Sequence, residues 1–267
     1  MTVHVTGEVL DSRRVGAYRH LTIVAPGVPE RFRPGTVLAV TPADSAHLAR
    51  RPYWIHRVRT VGGYGAAVQL VVDPTGAGGS WLAGLPVGAR LPVTGPLGRP
   101  FALPKEPVSC VLVGEEWAAA PLFPLAERLR ERGCSVTLVV AARDEAHLLS
   151  ALEARRSARA VSVVTEDGSV GIRGRAADVL ADTLVRAGAE VVYAAGRVDT
   201  LHAAAAAAEQ HGAWSQTAVA VPQPCSTGLC RGCPLPVVGE DGVARDVRAC
   251  TEGPVVRGDR VRWGELS

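Results

Sequence analysis

Four cysteines near the C-terminus constrain this chain more than any other feature. Cys225, Cys230 and Cys233 are spaced C-x4-C-x2-C, and sixteen residues then separate Cys233 from Cys250. Four thiolates with this asymmetric spacing can hold two irons, two cysteines to each, as in plant-type [2Fe–2S] centres. The small residues Ser226, Thr227, Gly228 and Gly232 allow a loop to wrap such a cluster and aim backbone N–H groups at its sulfurs. A structural zinc site is the rival assignment, but it usually takes its thiolates as two short pairs, and only one such pair occurs here. A disulfide framework is the third.

The other two cysteines, Cys110 and Cys134, lie in apolar, strand-like surroundings and read as inert core residues. The chain begins Met1-Thr2-Val3-His4-Val5, with neither the basic nor the apolar region of a signal peptide. No apolar run is long enough to span a bilayer. Six cysteines in that setting point to a cytoplasmic protein whose thiols bind metal. A net charge of +3, dispersed along the chain, argues against nucleic acid and anionic membrane surfaces as partners.

From Val3 to Phe101 short alternating segments are separated by Gly and Pro, the pattern of a small antiparallel barrel. Two stretches there can bind a ligand. In Arg51-Pro52-Tyr53-Trp54, a guanidinium followed by aromatics at a strand start can clamp a diphosphate and cover a flat ring. In Gly76-Ala77-Gly78-Gly79-Ser80, glycines ahead of a helix expected over 80–85 can offer free N–H groups to an anion. From Val108 to His211 strands and helices alternate, which predicts a parallel sheet covered on both faces. Helices are expected over 118–132 and 145–157. Beyond Trp214 the chain is expected to be irregular until a hairpin around Asp241-Gly242 brings Cys250 back to the other cysteines.

Arg51-Pro52, Gly76 to Leu82, Gly95-Pro96-Leu97-Gly98, the cysteine stretch and the tail from Ala249 to Val256 occur in that order. Together they resemble the electron-transfer subunits of dihydroorotate dehydrogenase, ferredoxin-reductase-like flavoproteins of pyrimidine biosynthesis with a C-terminal [2Fe–2S] domain. The resemblance spans nearly the full length. It implies an FAD-binding-type β-barrel over residues 1–102, an NAD-binding-type α/β domain over 103–215 and a cluster domain over 216–267.

It further implies FAD held by Arg51, Pro52, Tyr53 and Trp54, by the strand end Val71-Val72-Asp73, and by Gly76, Gly78, Gly79 and Ser80, with the cluster on Cys225, Cys230, Cys233 and Cys250. Trp54 stands where the family has a hydroxyl near the flavin ring, and Gly79 where it has a threonine. Ser226 stands at a family glycine, a change compatible with a negative φ. The implied function is electron transfer between FAD and the cluster, to or from a dihydroorotate-dehydrogenase-like catalytic partner. The alternative is a non-catalytic iron–sulfur subunit with a vestigial reductase fold that docks on and stabilises a dehydrogenase.

The dinucleotide turn departs from the family. Its glycines are replaced in Gly114-Glu115-Glu116-Trp117-Ala118, and the family's Cys-Gly-Pro is Ala195-Gly196-Arg197. Carboxylates repel a diphosphate, and a Cβ blocks the close approach that glycine permits. Efficient oxidation of NADH is therefore not expected. The other role open to Glu115 and Glu116 is to stabilise the N-terminus of the helix that follows.

Overall fold

The computed structural model describes residues 2–42 and 49–266. The first part is a closed barrel of six antiparallel strands: β1 (Val3–Val15), β2 (Tyr18–Val24), β3 (Val37–Val40), β4 (Arg51–Val61), β5 (Gly65–Val72) and β6 (Arg90–Leu97), in the order β1-β2-β5-β4-β3-β6. Closure leaves no edge to protect. Leu21, Ile23, Leu38, Ile55, Leu70 and Val93 fill the interior from alternating positions. A helix, α1 (Gly76–Ala83), follows β5. It begins at the first glycine rather than at Ser80, so the glycines form the helix start instead of a loop before it.

The second part is a seven-stranded sheet. Its strands and helices are β7 (Ser109–Glu115), α2 (Leu122–Glu131), β8 (Ser135–Ala142), α3 (Ala151–Ser157), β9 (Ala160–Thr165), β10 (Ile172–Arg173), α4 (Ala176–Ala187), β11 (Val191–Gly196), α5 (Val198–His211) and β12 (Trp214–Val219). The strand order is β10-β9-β8-β7-β11-β12-β15, parallel throughout except for the last strand, β15 (Val255–Arg257), which runs antiparallel to β12. Near-continuous burial of β7 and β11 is what a sheet covered on both faces requires.

Three expectations are corrected here. The chain stays regular beyond Trp214, because Ser215 to Val219 alternate too weakly to be told from a loop by pattern and are held instead by register against β11. The helix expected over 118–132 splits at Ala120-Pro121 into a 3-10 turn, Glu116–Ala119, and α2. The helix expected over 145–157 splits likewise, with Ser150 at φ 34° between the turn Glu145–His147 and α3.

The last fifty residues form the hairpin β13 (Pro234–Val238) and β14 (Ala244–Arg248), the short helix α6 (Ala249–Glu252) and β15. The cluster segment thus ends as an edge strand of the α/β sheet. The barrel and the sheet meet through buried polar contacts: Tyr18 donates to the His147 carbonyl at 2.8 Å, and His56 Nδ1 lies 3.0 Å from the Ala120 carbonyl. His56 Nε2 lies 3.2 Å from Glu153, which also pairs with Arg57. Among the described residues no helix is long and apolar enough to cross a membrane.

Candidate functional site

The hairpin register explains how Cys250 rejoins the other cysteines. Pro234 pairs with Arg248 at the open end of β13 and β14, so the residues just outside, Cys233 and Ala249, are neighbours. The Ala249 amide donates to the Cys233 carbonyl at 2.9 Å. This brings the Cys233 and Cys250 sulfurs to 3.4 Å, both buried and neither in a disulfide. The Cys225 sulfur accepts from the amides of Thr227 at 3.4 Å and Cys230 at 3.5 Å, and the Cys230 sulfur from that of Gly232 at 3.3 Å. Burial opposes ionisation of the Cys225 thiol, but those N–H groups outweigh it and draw its pKa to about 6. Burial and the Cys233 thiol push Cys250 up to about 12.

All six cysteines are free thiols, with no disulfide among them. Amides aimed at sulfur, and thiols set out along a wrapping loop, are the chemistry of a two-iron cluster. Ser226 has φ 56°, not the negative φ expected of a non-glycine residue, and it is fully buried with its hydroxyl donating to the Gln223 carbonyl at 2.8 Å. That bond helps to hold a serine in the left-handed region, where an L side chain costs roughly 1–2 kcal/mol. Arg231, also left-handed at φ 57°, and Leu229 stand exposed on the outer side of the loop. Cys110 and Cys134 are buried in the core, where burial and the neighbouring Cys134 push the Cys110 thiol to about 12.

The loop is tied to the barrel. The Arg50 amide donates to the Pro224 carbonyl at 2.9 Å, and its guanidinium donates to the Cys225 carbonyl at 3.1 Å. The next residue, Arg51, opens the stretch proposed for FAD. Its Nε is buried without a hydrogen-bond partner among the described residues. A Cβ on Gly78 would lie 2.8 Å from that nitrogen, so the glycine makes room for the side chain. The Tyr53 hydroxyl donates to the Gly78 carbonyl at 3.2 Å. Gly79 packs so tightly that a Cβ would lie 2.0 Å from the Asp73 carbonyl. Asp73 in turn accepts from the Thr75 amide at 3.0 Å and sets the start of α1, which has no side-chain cap. An orphaned buried guanidinium nitrogen beside an uncapped glycine helix fits a diphosphate.

The structure divides the residues expected at the flavin. Arg51 and Tyr53 meet Gly78, whereas Pro52 and Trp54 line a separate cavity toward the α/β part. Trp54 is buried. Val71 and Val72 are core residues beneath this region, Val72 inside the barrel. Ser80 is exposed.

The dinucleotide position is occupied by an ion-pair network. The chain runs outward from β7 through β8 to β10, then returns to β11 on the other side of β7, so the topological switch point lies between β7 and β11. Glu115 ends β7 and is buried there. Its carboxylate accepts from the Arg197 amide at 2.9 Å and lies 3.0 Å from the Arg197 guanidinium. Arg197 also donates to Glu166 at 2.8 Å. Burial raises the Glu115 pKa, against the pull of the Arg197 amide and Thr200. A Cβ on Gly196 would lie 2.9 Å from that of Glu115, so the two strand ends close on each other. Glu115 stabilises a helix N-terminus, as its sequence position allows, but the helix is α5, whose N-cap is Arg197, rather than the one that follows Glu115. Glu116 instead faces Arg143 at 3.6 Å. Sequence alone could not reveal this network, because Arg197 and Glu166 come from different strand ends.

Residues 224–262 match the model of the iron–sulfur cluster binding domain of dihydroorotate dehydrogenase B. The electron transfer subunit of dihydroorotate dehydrogenase B (NAD(+)) from Bacillus caldolyticus is 30% identical over 255 residues, covering 94% of this chain and 95% of the relative. That of Shouchella clausii is 31% identical over 232 residues, covering 85% and 86%. Among solved structures, an NADH-dependent reduced ferredoxin-NADP oxidoreductase studied for flavin-based electron bifurcation superposes with a TM-score of 0.84 at 25% identity, over 97% of this chain and 91% of its own. A ferredoxin reductase of carbazole 1,9a-dioxygenase shares the fold at a TM-score of 0.65, over 79% and 67%. With the fold, the cysteine set and identity along nearly the whole of both sequences in agreement, this chain belongs to the family of dihydroorotate dehydrogenase B electron transfer subunits.

Proposed function

We propose that the chain passes electrons between FAD and a [2Fe–2S] cluster, to or from a dihydroorotate-dehydrogenase-like catalytic partner, and that it does not draw them efficiently from NADH. The observation that carries this reading is the continuity of Arg50 and Arg51. One residue holds the cluster loop at the Cys225 carbonyl, and the next presents an unpaired buried nitrogen to the glycine helix. Bound flavin exchanges one or two electrons and a two-iron cluster exchanges one, so the pair couples two-electron to one-electron chemistry.

The chain's own residues supply binding and orientation. Arg51 and the N-terminus of α1 hold the diphosphate, Tyr53 fixes that helix through Gly78, and Cys225, Cys230, Cys233 and Cys250 hold the irons. The residues at the switch point do not fit a second dinucleotide. Glu115 sits where the diphosphate belongs, and Arg197, the cation nearest to it, is already paired with Glu115 and Glu166. On this reading the domains divide near residues 102 and 215, with β12 and β15 tying the cluster segment to the sheet.

The visible spectrum and an anaerobic NADH titration of the purified chain test this. FAD released on denaturation, together with a cluster that NADH bleaches only slowly, is the expected result. A chain that keeps iron but never contains flavin would instead be the vestigial subunit, a reading that the burial of Trp54 at the family's hydroxyl position favours. Prompt bleaching by NADH would overturn the reading of Glu115.

A further inference from the structure

One cavity lies where the barrel, the α/β sheet and the cluster segment meet. It has a volume of about 240 Å³ and is lined by Pro52 and Trp54 of β4, Trp117 of the turn after β7, and Val221 and Gln223 of the segment that enters the cysteine loop. The lining is almost wholly apolar, with two indoles. Its exception is Gln223, which is 3% exposed and whose Oε1 has no hydrogen-bond partner among the described residues. Gln223 is also held in place, because its carbonyl accepts from the Ser226 hydroxyl and it stands two residues before Cys225.

A buried carbonyl oxygen left without a donor is costly, and most such groups in folded proteins find a partner. The unpaired oxygen therefore calls for an N–H or O–H donor brought by a ligand. Indole faces favour a flat aromatic ligand. The volume is below that of pockets that enclose whole drug-sized molecules, which suits one ring system rather than a complete dinucleotide. Arg51, with its own orphaned nitrogen, lies three residues before Trp54 on β4, roughly 10 Å along an extended strand. One barrel strand thus carries both the orphaned nitrogen and a wall of the cavity.

Oxidised isoalloxazine carries one N–H, at N3, between two carbonyls. We infer that this cavity receives the flavin ring and that Gln223 Oε1 accepts the N3–H, which makes Gln223 a flavin-positioning residue beside the cluster loop. The inference rests on the reading of FAD as the bound dinucleotide. It assigns the space left beside Trp54 to the flavin ring, with the indole as a wall of the site rather than its plug.

The test uses the full chain stripped of flavin, with its cluster absorbance intact, titrated with FAD and with 3-methyl-FAD and followed by quenching of flavin fluorescence. Methylation removes the donor, so the unaltered chain is expected to bind FAD about tenfold more tightly than 3-methyl-FAD. Gln223→Leu is expected to weaken FAD by a similar factor and to lose the preference between the two flavins. Equal affinity of the unaltered chain for both flavins, or a preference fully retained in Gln223→Leu, overturns the role of Gln223 and leaves the FAD reading standing. An unaltered chain that binds neither flavin overturns both. The comparison on the unaltered chain does not depend on how the variant folds.

Discussion

The Arg50 guanidinium donates to the Cys225 carbonyl at 3.1 Å and so ties the first cysteine of the loop to the residue just before β4, the strand that Arg51 opens. The Arg50 amide adds a second tie to Pro224. Replacing Arg50 by Ala removes the side-chain bond and leaves the backbone bond. A hydrogen bond to a charged group contributes about 1.5–3 kcal/mol, with the lower end expected at this half-exposed residue. Arg50→Ala should therefore lose its cluster absorbance at a lower temperature than the unaltered chain while its FAD content stays the same. Scans following visible absorbance and flavin release separately would check this, and simultaneous loss of both would show that the tie is not local.

The six cysteines should divide into two classes. Ser in place of Cys225, Cys230, Cys233 or Cys250 removes a thiolate ligand and should abolish the two-iron spectrum. Ala in place of Cys134, buried beside Cys110, should leave iron content unchanged and cost about 1 kcal/mol of stability, as small core truncations do. Iron and sulfide analysis of purified variants decides the matter.

Arg51→Ala and Gly78→Ala act on one contact from its two sides. The first removes the guanidinium, and the second places a Cβ 2.8 Å from Nε and pushes it away. Each should weaken FAD by ten- to a hundredfold, given about 1.5–3 kcal/mol for a charge-assisted bond. The cluster spectrum should persist in both. Retention of full FAD affinity in Arg51→Ala would show that the diphosphate lies elsewhere.

The architecture was legible in the sequence to different depths. Hydrophobic alternation between Gly and Pro turns pointed to the antiparallel barrel, and alternating strand and helix patterns to the parallel sheet, because local pattern and topology agree there. Strand β12 was not legible, since it is held by register against β11 and by the returning β15 rather than by its own alternation. The cysteine spacing pointed to four candidate cluster ligands, but not to the meeting of Cys233 and Cys250 across a hairpin end. Ser226 departs from the negative φ that its residue type favours because a hydrogen bond to Gln223, invisible to propensity, supports its left-handed backbone. Gln223 itself carried no sequence signal: its interest lies in an oxygen left without a partner in the folded chain.

Glu115 offers a test of the switch point. Glu115→Ala leaves the Arg197 amide at the start of α5 without its acceptor and the guanidinium with one partner fewer. An unsatisfied buried group of this kind costs about 1–3 kcal/mol. The variant should thus be less stable in urea. With the carboxylate gone, it should also accept electrons from NADH faster than the unaltered chain. Anaerobic stopped-flow bleaching checks the gain, and an unchanged rate would show that the carboxylate is not what keeps NADH out.

His20 predicts an acid limit on stability. It lies in β2, 5% exposed, with its ring edge-on to His56 at 5.8 Å and Nε2 unpartnered among the described residues. Burial, then His56, with Arg13 and Arg59 adding, lowers its pKa from 6.5 to about 4, against the pull of Glu153. A folded-state value below the unfolded one means that the unfolded chain takes up a proton that the folded chain refuses. The stability is fully present above pH 6.5 and drains away as pH falls toward 4, by up to roughly 3 kcal/mol. Glu153, whose own pKa is lowered, adds a further loss near and below the ordinary carboxylate range. His20→Gln keeps a polar side chain but cannot titrate, so between pH 6.5 and 4.5 its urea midpoint should fall less than that of the unaltered chain. Cluster loss in acid affects both proteins alike and cancels in the difference. Parallel midpoints across that window would show that His20 is protonated in the folded state.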